Sequence, residues 1–159
     1  MAVLKIRQCG DPILHQKCLP IRKIDDRVLK MLDDMTDTLH ASENGAAIAA
    51  PQVGLPFQLV VIDYEDRFYR LINPRIVHAS GAQEDVEGCL SLPGKFGTVI
   101  RPSRVKVEAF NEKGEKIVIR ATGEMAKCFC HEIDHLNGEV FWEKVEEWVE
   151  VEEDEGEAE

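Results

Sequence analysis

Eleven residues, Cys128–Gly138, read CFCHEIDHLNG and contain the densest run of reactive side chains in the chain. Within them His131, Glu132 and His135 fit the pattern H-E-x-x-H. On a helix, residues four apart lie one above the other on the same face. His131 and His135 therefore present two imidazoles to one metal ion. Glu132, one step round, reaches the open side of that ion as a proton acceptor. Helix formers precede the motif, and Asn137-Gly138 closes it with a C-terminal stop signal. A surface helix with scattered histidines is the plainer alternative. The apolar Ile133 on a credible helix argues for the metal.

Two histidines do not hold a catalytic metal alone; such sites take three protein ligands and keep one position open. Cys89, Cys128, Cys130, His78 and several acids are candidates for the third. Cys128 shares a helical stripe with the two histidines, but it lies roughly 10 Å along the axis from His135. That places it beside the metal, lining a pocket. Cys130 points to another face. Cys89 sits in Val86-Glu87-Gly88-Cys89-Leu90-Ser91-Leu92-Pro93-Gly94, a turn-rich stretch expected between strands. A loop can deliver a sulfur to a helix-borne histidine pair, yet a buried cysteine can equally be a small hydrophobe.

The remaining elements must position these groups. Asp25 can cap a helix running to about Glu43 and stopped by Asn44-Gly45. Val28, Leu32, Met35 and Leu39 form its apolar stripe. Residues 45–54, GAAIAAPQVG, are small and apolar around one amide, Gln52. Such a run suits a tight buried loop or the close approach of a ligand, and a buried Gln needs partners or a task. From Phe57 the pattern turns to strands: Gln58–Asp63, Arg67–Leu71, Arg75–Ala79, Val105–Phe110 and Lys116–Arg120, with turns expected at Asn73-Pro74, Ser80-Gly81 and Asn111–Gly114. Short strands close in sequence favour antiparallel pairing. Thr122 caps the histidine helix, Val140–Trp142 is extended, and Val145, Trp148 and Val149 could pin a further helical turn. The expected class is α+β: antiparallel strands around a central metal-binding helix, with an N-terminal amphipathic helix.

The length of 159 residues suits one domain. No apolar run approaches the ~18 residues of a membrane span, and the opening MAVLKIRQCGDP lacks a secretory h-region. Five scattered cysteines suit a reducing cytoplasm. The net charge of −11 is uneven: residues 143–159 hold ten acids and one lysine, leaving only −2 for the other 142. We expect residues 1–142 to be the catalytic domain and 143–159 an acidic, largely disordered tail. Such a tail is a poor match for nucleic acid.

Three separated segments, GAAIAAPQVG, EGCLS and HEIDH, occur in the order of the three motifs of the peptide deformylases and resemble them. Gly10–Leu14, Ile72–Pro74 and Leu136–Gly138 resemble that family too, and the likeness spans about residues 4–142. The resemblance implies metal-dependent hydrolysis of the N-formyl group from the leading methionine of new polypeptides, releasing formate. It implies one divalent ion, Fe2+ in the cell with Zn2+, Ni2+ or Co2+ also accepted, bound by Cys89, His131 and His135. Glu132 would be general base and then acid, with Gln52 and the Leu90 N–H holding the developing oxyanion. Gly45, Ala46, Ala47, Ile48, Glu87 and Cys128 would lie near the substrate. The partners implied are formyl-methionyl nascent peptides. A transient ribosome contact is expected only without a basic tail, and neither a membrane nor a specific nucleic acid is expected. A monomer is expected.

Two departures stand out. Ala47 replaces the second glycine of the usual G-x-G, adding a methyl where substrate backbone should pass. Cys130 stands where many members carry Gln. Two rival readings remain: an H-E-x-x-H peptidase whose third ligand comes from the acids of 143–153, and a non-catalytic binding module on the same fold. Loss of metal on tail deletion would mark the first. Absent formate release would mark the second.

Overall fold

The computed structural model describes residues 2–42 and 45–150. Helix α1 (Asp26–His40) starts where Asp25 turns its carboxylate back onto the Val28 N–H at 3.2 Å. Val28, Leu32, Met35 and Leu39 are all buried. The helix ends at His40, short of the expected Glu43, with Ala41 as its C-cap. The Ser42 hydroxyl donates to the Thr38 carbonyl there. The expected stop at Asn44 lies outside the described residues.

Among the described residues eight strands follow: β1 (Ala47–Ala49), β2 (Leu59–Tyr64), β3 (Arg67–Ser80), β4 (Gln83–Cys89), β5 (Leu92–Arg101), β6 (Arg104–Phe110), β7 (Lys116–Thr122) and, after helix α2 (Gly123–Leu136), β8 (Glu147–Val149). They form a five-stranded sheet in the order β1-β2-β3-β6-β7 and a three-stranded sheet in the order β4-β5-β8. Every pairing between these strands is antiparallel; an isolated bridge between Leu19 and Phe57 is parallel. The α+β expectation holds.

The run Leu59–Ile62 is apolar throughout because both of its faces are covered. Leu59 and Val61 pack with α1. Val60 and Ile62 point the other way, into a cluster with Val105, Val107, Ala121, Phe129 and Ile133. Helix α2 thus lies on the five-stranded sheet with Phe129 fully buried beneath it.

Several expectations are corrected. Asn73-Pro74 does not separate two strands. β3 runs through it as a bulge, with Asn73 at φ 53° and a register shift between Ile72 and Arg75. The Asn73 side chain holds the passing Ile21 backbone by two hydrogen bonds, which fixes the kink. Residues 86–94 are no loop but the hairpin of β4 and β5, so Cys89 stands on a strand end. Thr122 occupies the N-cap of α2 without a side-chain bond. Phe141–Glu143 is a 3-10 turn. Beyond it the chain pairs with β5 as β8, not as a helical turn, so residues 146–149 are held on the body. A Cβ on Gly97 would meet Val145 at 2.7 Å, so this glycine lets the segment sit down. The expected disorder beyond Glu150 falls outside the described residues.

Two measurements test this account. Phe129→Ala should destabilise the fold by about 3–5 kcal/mol in urea unfolding, because it opens a cavity under α2. Asp34 is buried, which disfavours its charge, but hydrogen bonds from Lys30 Nζ and the Ala2 N–H outweigh burial and hold its carboxyl below the usual range. A depressed folded-state value means stability present above the unfolded value and lost as pH falls through the folded one. Asp34→Asn should therefore destabilise at pH 7, and the gap to wild type should close in acid.

Candidate active site

Helix α2 turns His131, Glu132 and His135 towards the β4–β5 hairpin, and all three are buried. Gly138 lets the chain leave α2 at once. It sits at φ 78°, and a Cβ there would meet the His15 carbonyl oxygen at 2.6 Å. Across from α2, Cys89 ends β4. The preceding Gly88 is required by contact, since a Cβ would press on the Phe96 ring at 2.7 Å. Ligand atoms of Cys89, His131 and His135 all lie within 4.8 Å of one another, and Cys89 Sγ is 3.5 Å from His135 Nε2. Sulfur and nitrogen ligands at about 2.3 and 2.0–2.1 Å on a tetrahedron stand about 3.5 Å apart. The donor set therefore fits one divalent ion.

The surrounding shell fits the same purpose. Glu87 Oε1 lies 2.9 Å from His131 Nδ1, fixing the ring and leaving its other nitrogen for the cluster. Arg101 grips Glu87 with two bonds, Nε–Oε2 at 2.8 Å and Nη2–Oε1 at 3.0 Å, and reaches Asp134 with Nη1 at 2.6 Å. Burial alone would raise the Glu87 pKa. The bonds to His131 and Arg101 outweigh it and bring it to about 2. Burial opposes charge on His131 too, but hydrogen bonding to Cys89 and Glu87 lifts its pKa well above the ordinary imidazole range. Such a cluster attracts positive charge, and a metal ion competes with the proton for it.

Glu132 has no such partner. Burial pushes its carboxyl up to about 7, and among the described residues its Oε1 is buried without a hydrogen bond. A buried acceptor left unpaired marks a place where a water or substrate proton belongs. Gln52 is oriented with equal clarity. Its Oε1 accepts from the Ala49 N–H at 2.9 Å, so its Nε2 faces Ser91 Oγ (3.2 Å) and Cys89 Sγ (3.4 Å).

A cavity of about 380 Å3 opens onto these groups, within the usual size of a small-ligand site. Gly45, Ala46, Ala47, Gln52, Glu87, Cys89, Leu90, Cys128, His131 and Glu132 border it. Ile48 does not. It is wholly buried with α1, because β1 packs that side chain into the core behind the cavity. The Glu87 carboxylate borders the cavity while engaged with Arg101 and His131. Among the described residues the acids of 143–150 do not join the candidate metal group, which is Cys89, His131 and His135. Sequence reasoning missed Arg101, Ser91, Tyr64 and Lys127. Arg101 follows Val99-Ile100 in a strand and carries no local signal of burial. Asp134 was visible only as a helix neighbour of His131, three residues on.

The fold and site define a metal-binding hydrolase with a buried, unpartnered carboxylate beside the ligand trio. A family model described as polypeptide deformylase matches residues 3–150. "Peptide deformylase 2" of Clostridium acetobutylicum is 53% identical over 149 residues, covering 94% of this chain and 99% of that protein. The crystal structure of peptide deformylase from Thermotoga maritima superposes with a TM-score of 0.87 at 34% identity, covering 91% of this chain and 99% of that one. The Ehrlichia chaffeensis enzyme, in complex with actinonin, gives 0.88 at 37% identity, covering 91% and 90%. This chain belongs to the peptide deformylase family. The match extends past residue 142, in keeping with β8.

Glu87→Gln removes the negative charge that orients His131. It should weaken metal retention about 10–100-fold, measured by competition with a chelator.

Proposed function

We propose a division of labour among these residues for the family's reaction. The chain is a metal-dependent hydrolase that removes the N-formyl group from the N-terminal formyl-methionine of newly made polypeptides and releases formate. Cys89, His131 and His135 hold one divalent ion, Fe2+ in the cell, with Zn2+, Ni2+ or Co2+ able to take its place. Bound there, the metal supplies Lewis acidity that acidifies water and polarises a carbonyl.

The chain's own groups do the rest. Glu132 accepts the proton of the attacking water through its free, buried oxygen. As the formyl carbon becomes tetrahedral, charge gathers on its oxygen. The Gln52 amide, fixed by Ala49, and the Leu90 N–H donate to it. Glu132 then returns the proton to the departing amine, the C–N bond breaks, and formate and the free N-terminus leave. Gly45, Ala46 and Ala47 on one side and Cys128 on the other leave room for a linear apolar side chain. Residues 1–142 carry this chemistry and the acidic residues beyond 150 are dispensable for it. The enzyme works as a monomer in the cytoplasm, in passing contact with the ribosome. No helix of the described residues is long and apolar enough to cross a membrane.

The unpartnered Glu132 oxygen beside the ligand trio carries this reading. Formate release from formyl-Met-Ala-Ser, with anaerobically prepared protein, tests it. Glu132→Ala should lose about 10²–10⁴-fold in kcat and retain its metal. Inactive, metal-loaded wild type would sink the enzymatic reading.

A further inference from the structure

The five-stranded sheet is covered unequally. Helix α2 packs along one face, against Val105, Val107 and Ala109 of β6 and Ala121 of β7. Helix α1 packs on the other face, over β1 and β2. Side chains alternate along a strand, so Arg104 and Lys106 of β6, with Arg120 and Thr122 of β7, point away from α2. They emerge where α1 does not reach.

Cross-strand register gathers them into two rows. His78, Lys106 and Arg120 form one; Ser80, Arg104 and Thr122 form the next. These six line a cleft that holds no carboxylate. Arg104 donates to Ser80 Oγ at 3.1 Å, and among the described residues none of the three cations has a salt bridge. The adjoining acid on β6, Glu108, is occupied by Arg75 at 3.1 Å and Lys116 at 3.4 Å. Lys106 stands directly opposite Arg120. Like charges in that position destabilise a sheet. A chain of net charge −11 thus keeps a concentrated positive cleft that an anionic partner would neutralise.

We propose that this face docks on the phosphate backbone of structured RNA. Arg, Lys, Ser and Thr are the side chains that contact phosphate and sugar. The His78 imidazole is the one aromatic ring among the cleft's described lining residues. Contacts to phosphate and sugar read backbone shape, as with duplex RNA, and carry no sequence preference. The choice of RNA rests on the proposed function, whose substrate emerges from an RNA-rich particle. The cleft lies on the sheet face away from α2 and the metal ligands, so docking leaves the cavity open.

The test uses the full chain, a labelled RNA hairpin of about 16 base pairs, and anisotropy titrations between about 50 and 200 mM salt. Wild type should bind at low salt and weaken steeply as salt rises. The triple variant Arg104→Gln/Lys106→Gln/Arg120→Gln should bind at least ten-fold more weakly. Its log K against log salt should be shallower by about 1 per cation removed, while formate release from a free tripeptide stays unchanged. Equal binding by variant and wild type would overturn the inference. So would wild type that releases formate but ignores the hairpin, or that prefers vesicles rich in anionic lipid. RNA binding lost in the variant, from a wild type that releases no formate, would count against the proposed function and for this one.

Discussion

The fork of Arg101 onto Glu87 is the joint on which the site turns. One buried guanidinium ties β5 to the end of β4 through Glu87 and to α2 through Asp134. Glu87 in turn fixes the His131 ring. The ligand trio is assembled from two separate elements, a helix and a strand end, and these contacts set their separation. A buried ion pair adds little net stability, because desolvation offsets attraction. Its effect lies in geometry: a planar guanidinium with two parallel bonds tolerates little rotation. The pair is thus better understood as a positioning device for His131 than as a source of folding energy.

That joint also separates what the sequence disclosed from what it hid. His131, Glu132 and His135 were legible because helical periodicity alone puts them on one side of α2. Gln52 was legible as the single polar group in a run of small residues. Cys89 could be assigned only by resemblance, since no local rule tells a ligand from a small buried hydrophobe. Arg101 could not be found at all. Its partners lie 14 and 33 residues away, and nothing in Val99-Ile100-Arg101 distinguishes an inward arginine from an outward one. Ile48 was misplaced for a related reason: both faces of β1 are buried, so composition gives no clue to which side meets the cavity.

The strand boundaries were misread where tertiary contacts override turn chemistry. Asn73-Pro74 has the composition of a turn, yet the Ile21 backbone bound by Asn73 holds the two halves of β3 in line. Trp148 and Val149 have helical spacing with Val145, but a free edge of β5 offers backbone partners that a short helix could not match. Charge dominates the composition of residues 143–159 and suggests a solvated tail. Val145, Trp148 and Val149 with one open edge fix its first part.

Ala47 shows how the same geometry absorbs a departure. It pairs with Ile62 in β1 and borders the cavity, which still measures about 380 Å3 with the methyl in place. On the proposed function the methyl changes the cavity wall and leaves Cys89, His131, His135 and Glu132 in place as side chains. Its consequences therefore belong to substrate binding: a contact made equally in ground and transition state alters KM and leaves kcat as it is. On the proposed function the chemistry is set by α2, β4 and Arg101, and scope by the small residues around Ala47, which packs in one cluster with Phe129 and Ile133 of α2.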